Sequence, residues 1–186
     1  MEVENCYLGT DIENLTLCGN NEVVSGMSEV GIHYSITDHV KTFPKLPALK
    51  DNPNFETAAV AVGLFEMQET KFFAKIRAQM DTAQFDAETV GNTGNNTNAN
   101  KWEAFIPGNT KKSLGMLRKL TNVPMVFLVR DKEGLTHMLG NENSPAYLKG
   151  NYTSGKTKED DKGITLTIEC THPATLYEGA IPVKTT

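Results

Sequence analysis

Apolar and polar positions alternate most cleanly from Ile164 to Thr171. There Ile164, Leu166, Ile168 and Cys170 oppose Thr165, Thr167, Glu169 and Thr171. A period of two marks a strand with one buried face, and this one predicts a sheet packed on one side. Val123 to Arg130 is apolar almost throughout; Asp131-Lys132-Glu133-Gly134 then turns, and Leu135 to Leu139 returns. That arrangement predicts a hairpin with a short Gly-containing loop. Ala146 to Ser154 and Lys101 to Ile106 predict two more strands, the latter with Trp102, Ala104 and Ile106 on one side. From Glu69 to Asp81, Phe72, Ala74, Ile76, Ala78 and Met80 alternate with polar residues, and only Phe73 breaks the order. Phe72, Ile76 and Met80 also lie four apart, as on a helix, but the alternating polar partners favour a strand. Ala58 to Leu64 reads as a buried strand.

One helix stands out. Asn109-Thr110 offers a cap, and Leu114, Leu117 and Leu120 follow at spacings of three, predicting a helix over 110–120. Elsewhere the chain breaks up. Residues 1–35 hold short apolar pairs among Gly19, Gly26 and Gly31, which suits short strands or an arm. Pro44, Pro47 and Pro53 make 40–56 an extended connector. Residues 86–100 contain five Asn, two Gly and only three apolar positions, which predicts a long exposed loop without a core of its own. The fold class that follows is mainly β (α+β): a β-sandwich or rolled sheet with one short helix. The expected organisation is a single domain over 1–186, with 1–56 as N-terminal arm and Pro-rich connector.

Composition narrows the function classes. The chain has 186 residues, 39% of them apolar, and a formal net charge of −5, which disfavours wrapping of duplex DNA. Its longest apolar run, Ala58 to Phe65, is far short of the roughly 20 residues of a membrane helix. The first residues show neither a basic start nor an apolar stretch, and Cys6, Cys18 and Cys170 form no Cys-x-x-Cys pair. Those features predict free thiols, mostly buried, in a reducing cytoplasm.

Candidate chemistry is sparse. Gly150 to Thr157 matches the phosphate-loop pattern, but the charged run Lys158 to Lys162 follows where a helix should begin. A glycine-rich strand and turn is the expected reading. His33, His39, His137 and His172 show no metal-ligand spacing. Cys170 and His172 share strand parity, yet Cys170 extends an apolar face, so burial is expected rather than nucleophilic use. Lys111, Lys112, Arg118 and Lys119 lack interleaved aromatics and read as a solvated helix face. No enzyme activity, cofactor or metal is predicted.

A resemblance adds to this. The run Val123-Pro-Met-Val-Phe-Leu-Val-Arg-Asp-Lys-Glu-Gly134 is followed by Met138-Leu-Gly-Asn141, Ser144-Pro-Ala-Tyr147, Asp161 to Glu169 and His172-Pro-Ala-Thr-Leu-Tyr177. Phe85 to Gly91 and Trp102 to Gly108 precede it. This order resembles the tail tube (major tail) proteins of tailed bacteriophages and prophages, or a related tail or neck component, from about residue 85 onward. The resemblance implies a β-sandwich with a helix, hexameric rings stacked into a hollow tube, and no catalysis. It also implies other tail proteins as partners, DNA passing through the lumen without specific binding, and a place in the virion after assembly in the host bacterial cytoplasm. In such a tube the 86–100 loop would reach a neighbouring subunit, through Asp86, Glu88, Thr89, Asn92, Asn95, Asn96 and Asn98. A tail terminator or head–tail connector, forming one ring, is the alternative. A small-ligand-binding module is the third class.

Overall fold

The structure is a computed structural model and describes residues 26–51, 53–108, 110–156 and 161–184. Cys6, Cys18 and the earlier part of the expected arm lie outside the described residues, as do positions 157–160. In chain order the elements are β1 (Met27–Ile36), β2 (Val40–Thr42), α1 (Phe55–Ala59), β3 (Glu66–Met67), β4 (Ala74–Ile76), β5 (Gln84–Asn92) and β6 (Asn95–Pro107). Then follow α2 (Lys111–Leu120), β7 (Met125–Asp131), β8 (Thr136–Leu139), β9 (Tyr147–Thr153), β10 (Gly163–Cys170) and β11 (Thr175–Leu176).

Two antiparallel sheets form a sandwich. One has five strands in the order β11-β8-β7-β1-β4, the other four in the order β5-β6-β10-β9. The alternation over 164–171 is realised in β10, where Ile164, Leu166, Ile168 and Cys170 are all buried. Opposite Leu166 and Ile168, β6 places Ala104 and Trp102. They meet Ile32, Met125, Phe127, Val129 and Leu139 of the other sheet in one core.

The near-continuous apolar run of β7 has a different cause. Met125, Phe127 and Val129 point into the sandwich, whereas Val126 and Leu128 point into a second core on the opposite face. That second core is built by the stretch 40–73 and by residues 177–183, so the molecule has a third layer. Phe65 sits at its centre, edge-on to Phe43, Phe73 and Tyr177 at centroid separations of 5.7, 5.1 and 5.0 Å. Such pairs add about 0.5–1.5 kcal/mol each beyond their buried area. Backbone bonds stitch the layer shut: Ala61 N donates to Leu176 O (2.9 Å) and Phe73 N to Pro182 O (2.9 Å).

This third layer corrects three expectations. Within the expected arm, 27–36 is β1, an interior strand between β7 and β4 with Ile32 fully buried. Ala58 to Leu64 is not a buried strand. The Asn54 side chain accepts from Thr57 N (2.8 Å) and caps α1, and beyond it Val62 and Leu64 are 68% and 60% exposed. The run 69–81 shortens to β4, and Phe73 is buried while Phe72, Ala74 and Met80 are exposed. The reason is that β4 belongs to a sheet covered on both faces: Ile76 and Ala78 enter the sandwich and Phe73 the aromatic core.

The helix forms as expected. Thr110 Oγ1 accepts from Ser113 N (3.1 Å) and Ser113 Oγ from Thr110 N (3.0 Å), a capping box. Met116, Leu117 and Leu120 pack on the sandwich core, while Leu114 is exposed. Gly150 of β9 makes room for the helix, since a Cβ there would lie 2.2 Å from a Leu117 methyl group.

Two substitutions test this layering. Ile168→Asp buries an unpaired carboxylate and is expected to abolish cooperative thermal unfolding, followed by circular dichroism. Phe65→Ala should keep the fold while losing about 3–5 kcal/mol in chemical denaturation, because it empties the centre of the aromatic core.

Candidate functional site

Within the segment 86–100 the residues from 87 to 97 are exposed as expected, but Asn100 is buried and the segment is not a loop. Residues of β5 and β6 pair without interruption from Gln84↔Glu103 to Asn92↔Asn95 around a two-residue turn, Thr93-Gly94. Gly94 has φ 82°, which the second central position of such a turn demands. Gly91 has φ 125°, and a Cβ there would lie 2.6 Å from the Asn95 carbonyl oxygen. The alternation that marks a strand is missing because the outer part has no buried face. Every residue from Ala87 to Thr97 is exposed. At about 3.3 Å per residue, the five residues from Glu88 to Asn92 carry the ribbon roughly 15 Å along its axis. The available signal was Thr93-Gly94, flanked by Asn92 and Asn95 at the midpoint of two pairable runs.

The ladder sorts the seven nominated residues. Phe85 and Trp102 are paired and turn inward, so Asp86, Glu88, Asn92 and Asn95 fall on the outer face of the sheet. Thr89, Asn96 and Asn98 fall on the other face, with Thr89 opposite Asn98. They share one hairpin without forming one cluster. Asn100 is 3% exposed. Its Nδ2 donates to the His172 carbonyl, and its side chain also meets the Cys170 thiol.

The outer face of the four-stranded sheet carries charge in rows. Asp86, Lys101, Glu169 and Tyr147 stand side by side across the strands, and Glu103, Thr167 and Lys149 in the next row. Lys101 Nζ contacts Glu103 Oε2 and Lys149 Nζ contacts Glu169 Oε2, each at 2.5 Å. Exposed pairs of this kind contribute at most about 1 kcal/mol. Four carboxylates (Asp86, Glu88, Glu103, Glu169) against two ammonium groups (Lys101, Lys149) leave this face acidic. A groove of about 790 Å³ runs along it beside Asp86, Glu88, Lys101, Tyr147, Lys149 and Glu169.

The other candidate residues are accounted for by packing. Gly150 to Thr153 lie in β9, paired antiparallel to Leu166 through Gly163 of β10. That ladder occupies backbone a phosphate loop would leave open, and Gly150 serves helix packing. Lys111, Lys112, Arg118 and Lys119 are exposed on α2. Cys170 is buried, which pushes its thiol pKa up and disfavours the thiolate. The His172 ring is within hydrogen-bond reach of the Thr175 hydroxyl (Nδ1 to Oγ1, 3.3 Å). Among the described residues, no three His, Cys, Asp or Glu side chains are grouped to hold a metal ion, and no helix is long and apolar enough to cross a membrane.

No protein-family model matches the chain, and neither curated proteins nor solved structures give a match.

Buried His172 and part-buried His33 make stability depend on pH. Burial holds His172 below its ordinary value of 6.5. Burial, then repulsion from Lys75 and Arg130, does the same to His33. The unfolded chain therefore binds protons that the fold refuses, so their contribution is complete above about pH 6.5 and falls as pH drops below it. The melting temperature should decline between about pH 7 and pH 5, and His172→Gln should flatten that decline.

Proposed function

We propose that the chain is a structural virion subunit, the tail tube protein of a bacteriophage, whose rings of six copies stack into a hollow tail. The observation that carries this reading is the β5–β6 ribbon. Its outer part, from Ala87 to Thr97, is exposed throughout in its own subunit, and a lone two-stranded ribbon is marginal in water. A second surface from another copy is what such an element lacks. Head-to-tail contacts of this kind, repeated about and along an axis, build rings and tubes.

Two further features support it. The four-stranded sheet ends in β5 on one side and β9 on the other, and neither has a further strand beyond it among the described residues, although Thr121 bridges Leu148 at one point of β9. The edge beyond such a bridge presents backbone donors and acceptors to another chain. Pairing β5 of one copy with β9 of the next would run the sheets together around a ring. The acidic outer face would then line the bore, where it repels phosphate and lets DNA slide without sticking. The subunit's partners in this reading are its own copies and other tail proteins, and its place is the virion. It performs no catalytic step.

Hairpin shortening tests the reading. Joining Glu88 to Ala99 through Asn-Gly keeps their register in a two-residue turn and removes the projecting part. Electron microscopy of the full-length protein should show tubes. The shortened protein should keep the parent melting temperature and yield rings or monomers. Tubes from the shortened protein would transfer the stacking role to another element. Single rings from the full-length protein would instead indicate a tail terminator or connector, and monomers alone would sink the assembly reading.

A second variant addresses the ring. Replacing Asp86 and Glu88 together by Lys reverses the charge along the β5 edge. It should leave thermal unfolding unchanged and weaken assembly, most strongly at low salt, as followed by light scattering.

A further inference from the structure

Where the third layer stops covering the five-stranded sheet, a cavity of about 630 Å³ opens between that sheet and residues 176–181. Its size lies within the roughly 300–1,000 Å³ of small-molecule sites. Its lining is mixed. Leu135, Leu176, Tyr177 and Ile181 give the lining apolar surface, and His33, Arg130 and Thr136 give it polar groups.

The strand beneath it is irregular at this place. β1 pairs Met27 with Asp131 and Ile32 with Val129, so the residues between Met27 and Ile32 bulge opposite Arg130. Bulges of this kind re-aim side chains and collect beside functional sites. Gly31 lies in the bulge without a left-handed φ, so its backbone does not require glycine. Space does. A Cβ at Gly31 would lie 2.5 Å from the Arg130 Cβ. The missing side chain leaves room at the cavity floor and lets Arg130 lie against β1. Arg130 Nε donates to Gly134 O (3.1 Å), which fixes the base of the guanidinium. Beside it, His33 Nδ1 is buried without a well-formed hydrogen bond.

The charges set the ligand class. Arg130 is the cation among the described lining residues, and burial favours neutral His33. Glu178, exposed, is the carboxylate among those residues. The Arg130 guanidinium offers a planar cationic fork to one carboxylate, and Glu178 opposes a second negative charge. We propose that this cavity binds a small organic monocarboxylate with an apolar body, its carboxylate on Arg130 and its body against Leu135, Leu176 and Ile181. The site is independent of tube formation.

Equilibrium dialysis of the full chain against radiolabelled benzoate tests this, and works equally for monomers and polymers. Saturable binding of one benzoate per chain is expected. Arg130→Gln should weaken it by at least about tenfold, as loss of a charge-assisted contact implies. Glu178→Gln, at an exposed position, should tighten it several-fold, and it decides the matter if Arg130→Gln lowers the melting temperature. Inorganic phosphate and benzyl alcohol should compete poorly. Absence of saturable binding would overturn the proposal. So would equal competition by benzyl alcohol, or unchanged benzoate affinity in both variants.

Discussion

Everything in this molecule is arranged around the two-sided burial of β7. A strand that buries one face needs one partner layer; β7 buries both, with Phe127 and Leu128 each fully enclosed on opposite sides of the sheet. Each such side chain contributes about 1.5–3 kcal/mol only if water is excluded from its face. The sandwich provides that for one face through β6 and β10. For the other, the chain has no second sheet of comparable size among the described residues. It uses instead a layer of short elements, β2, β3 and α1, joined by aromatic side chains from 43 to 73 and closed by Tyr177. The Tyr177 hydroxyl donates to Ala180 O (2.9 Å), which lets a buried aromatic ring keep its polar end satisfied.

That constraint also explains how much of the fold was readable from residues alone. β10 was legible because it buries one face and alternates without fault. The hairpin of β7 and β8 was legible from its apolar run and the Gly134 turn, and α2 from Thr110 and its leucines. β4 was misread in its details because a sheet covered on both faces accepts apolar residues of either parity. Phe73 looked like an error in a pattern and is the residue that serves the second core. Val62 and Leu64 looked buried because local hydropathy does not reveal that, among the described residues, nothing covers the outside of their layer. β1 gave no signal, since its pairing with β7 spans about a hundred residues of sequence and its bulge destroys the period.

The projecting ribbon failed for the opposite reason. Strand patterns arise from burial, and a ribbon wet on both faces has none; its order comes from backbone pairing, which side-chain hydropathy does not record. The same holds for the polar knot at its base. Asn100 sits in an Asn-rich run and looks like its neighbours, yet it lies against Cys170 and His172 inside the protein. Only the third dimension separates it from Asn98. Charge on the outer face, by contrast, was present in the sequence as Asp86, Glu88, Lys101 and Glu169, but the cross-strand rows that make it a surface depend on register.

The closing of the third layer by residues 176–183 has a kinetic consequence. Val60 bridges to Leu176 and Phe73 to Val183, so the aromatic core joins parts of the chain more than a hundred residues apart. During synthesis β7 can pair with β1 and β8 well before those later residues emerge. Until they do, the layer from 40–73 has Val126, Leu128 and Met138 to pack on but lacks Tyr177, Ile181 and Val183 to close it. Contacts of such long range form slowly, and a core left open at one end during that interval is the species most exposed to aggregation and to capture by chaperones.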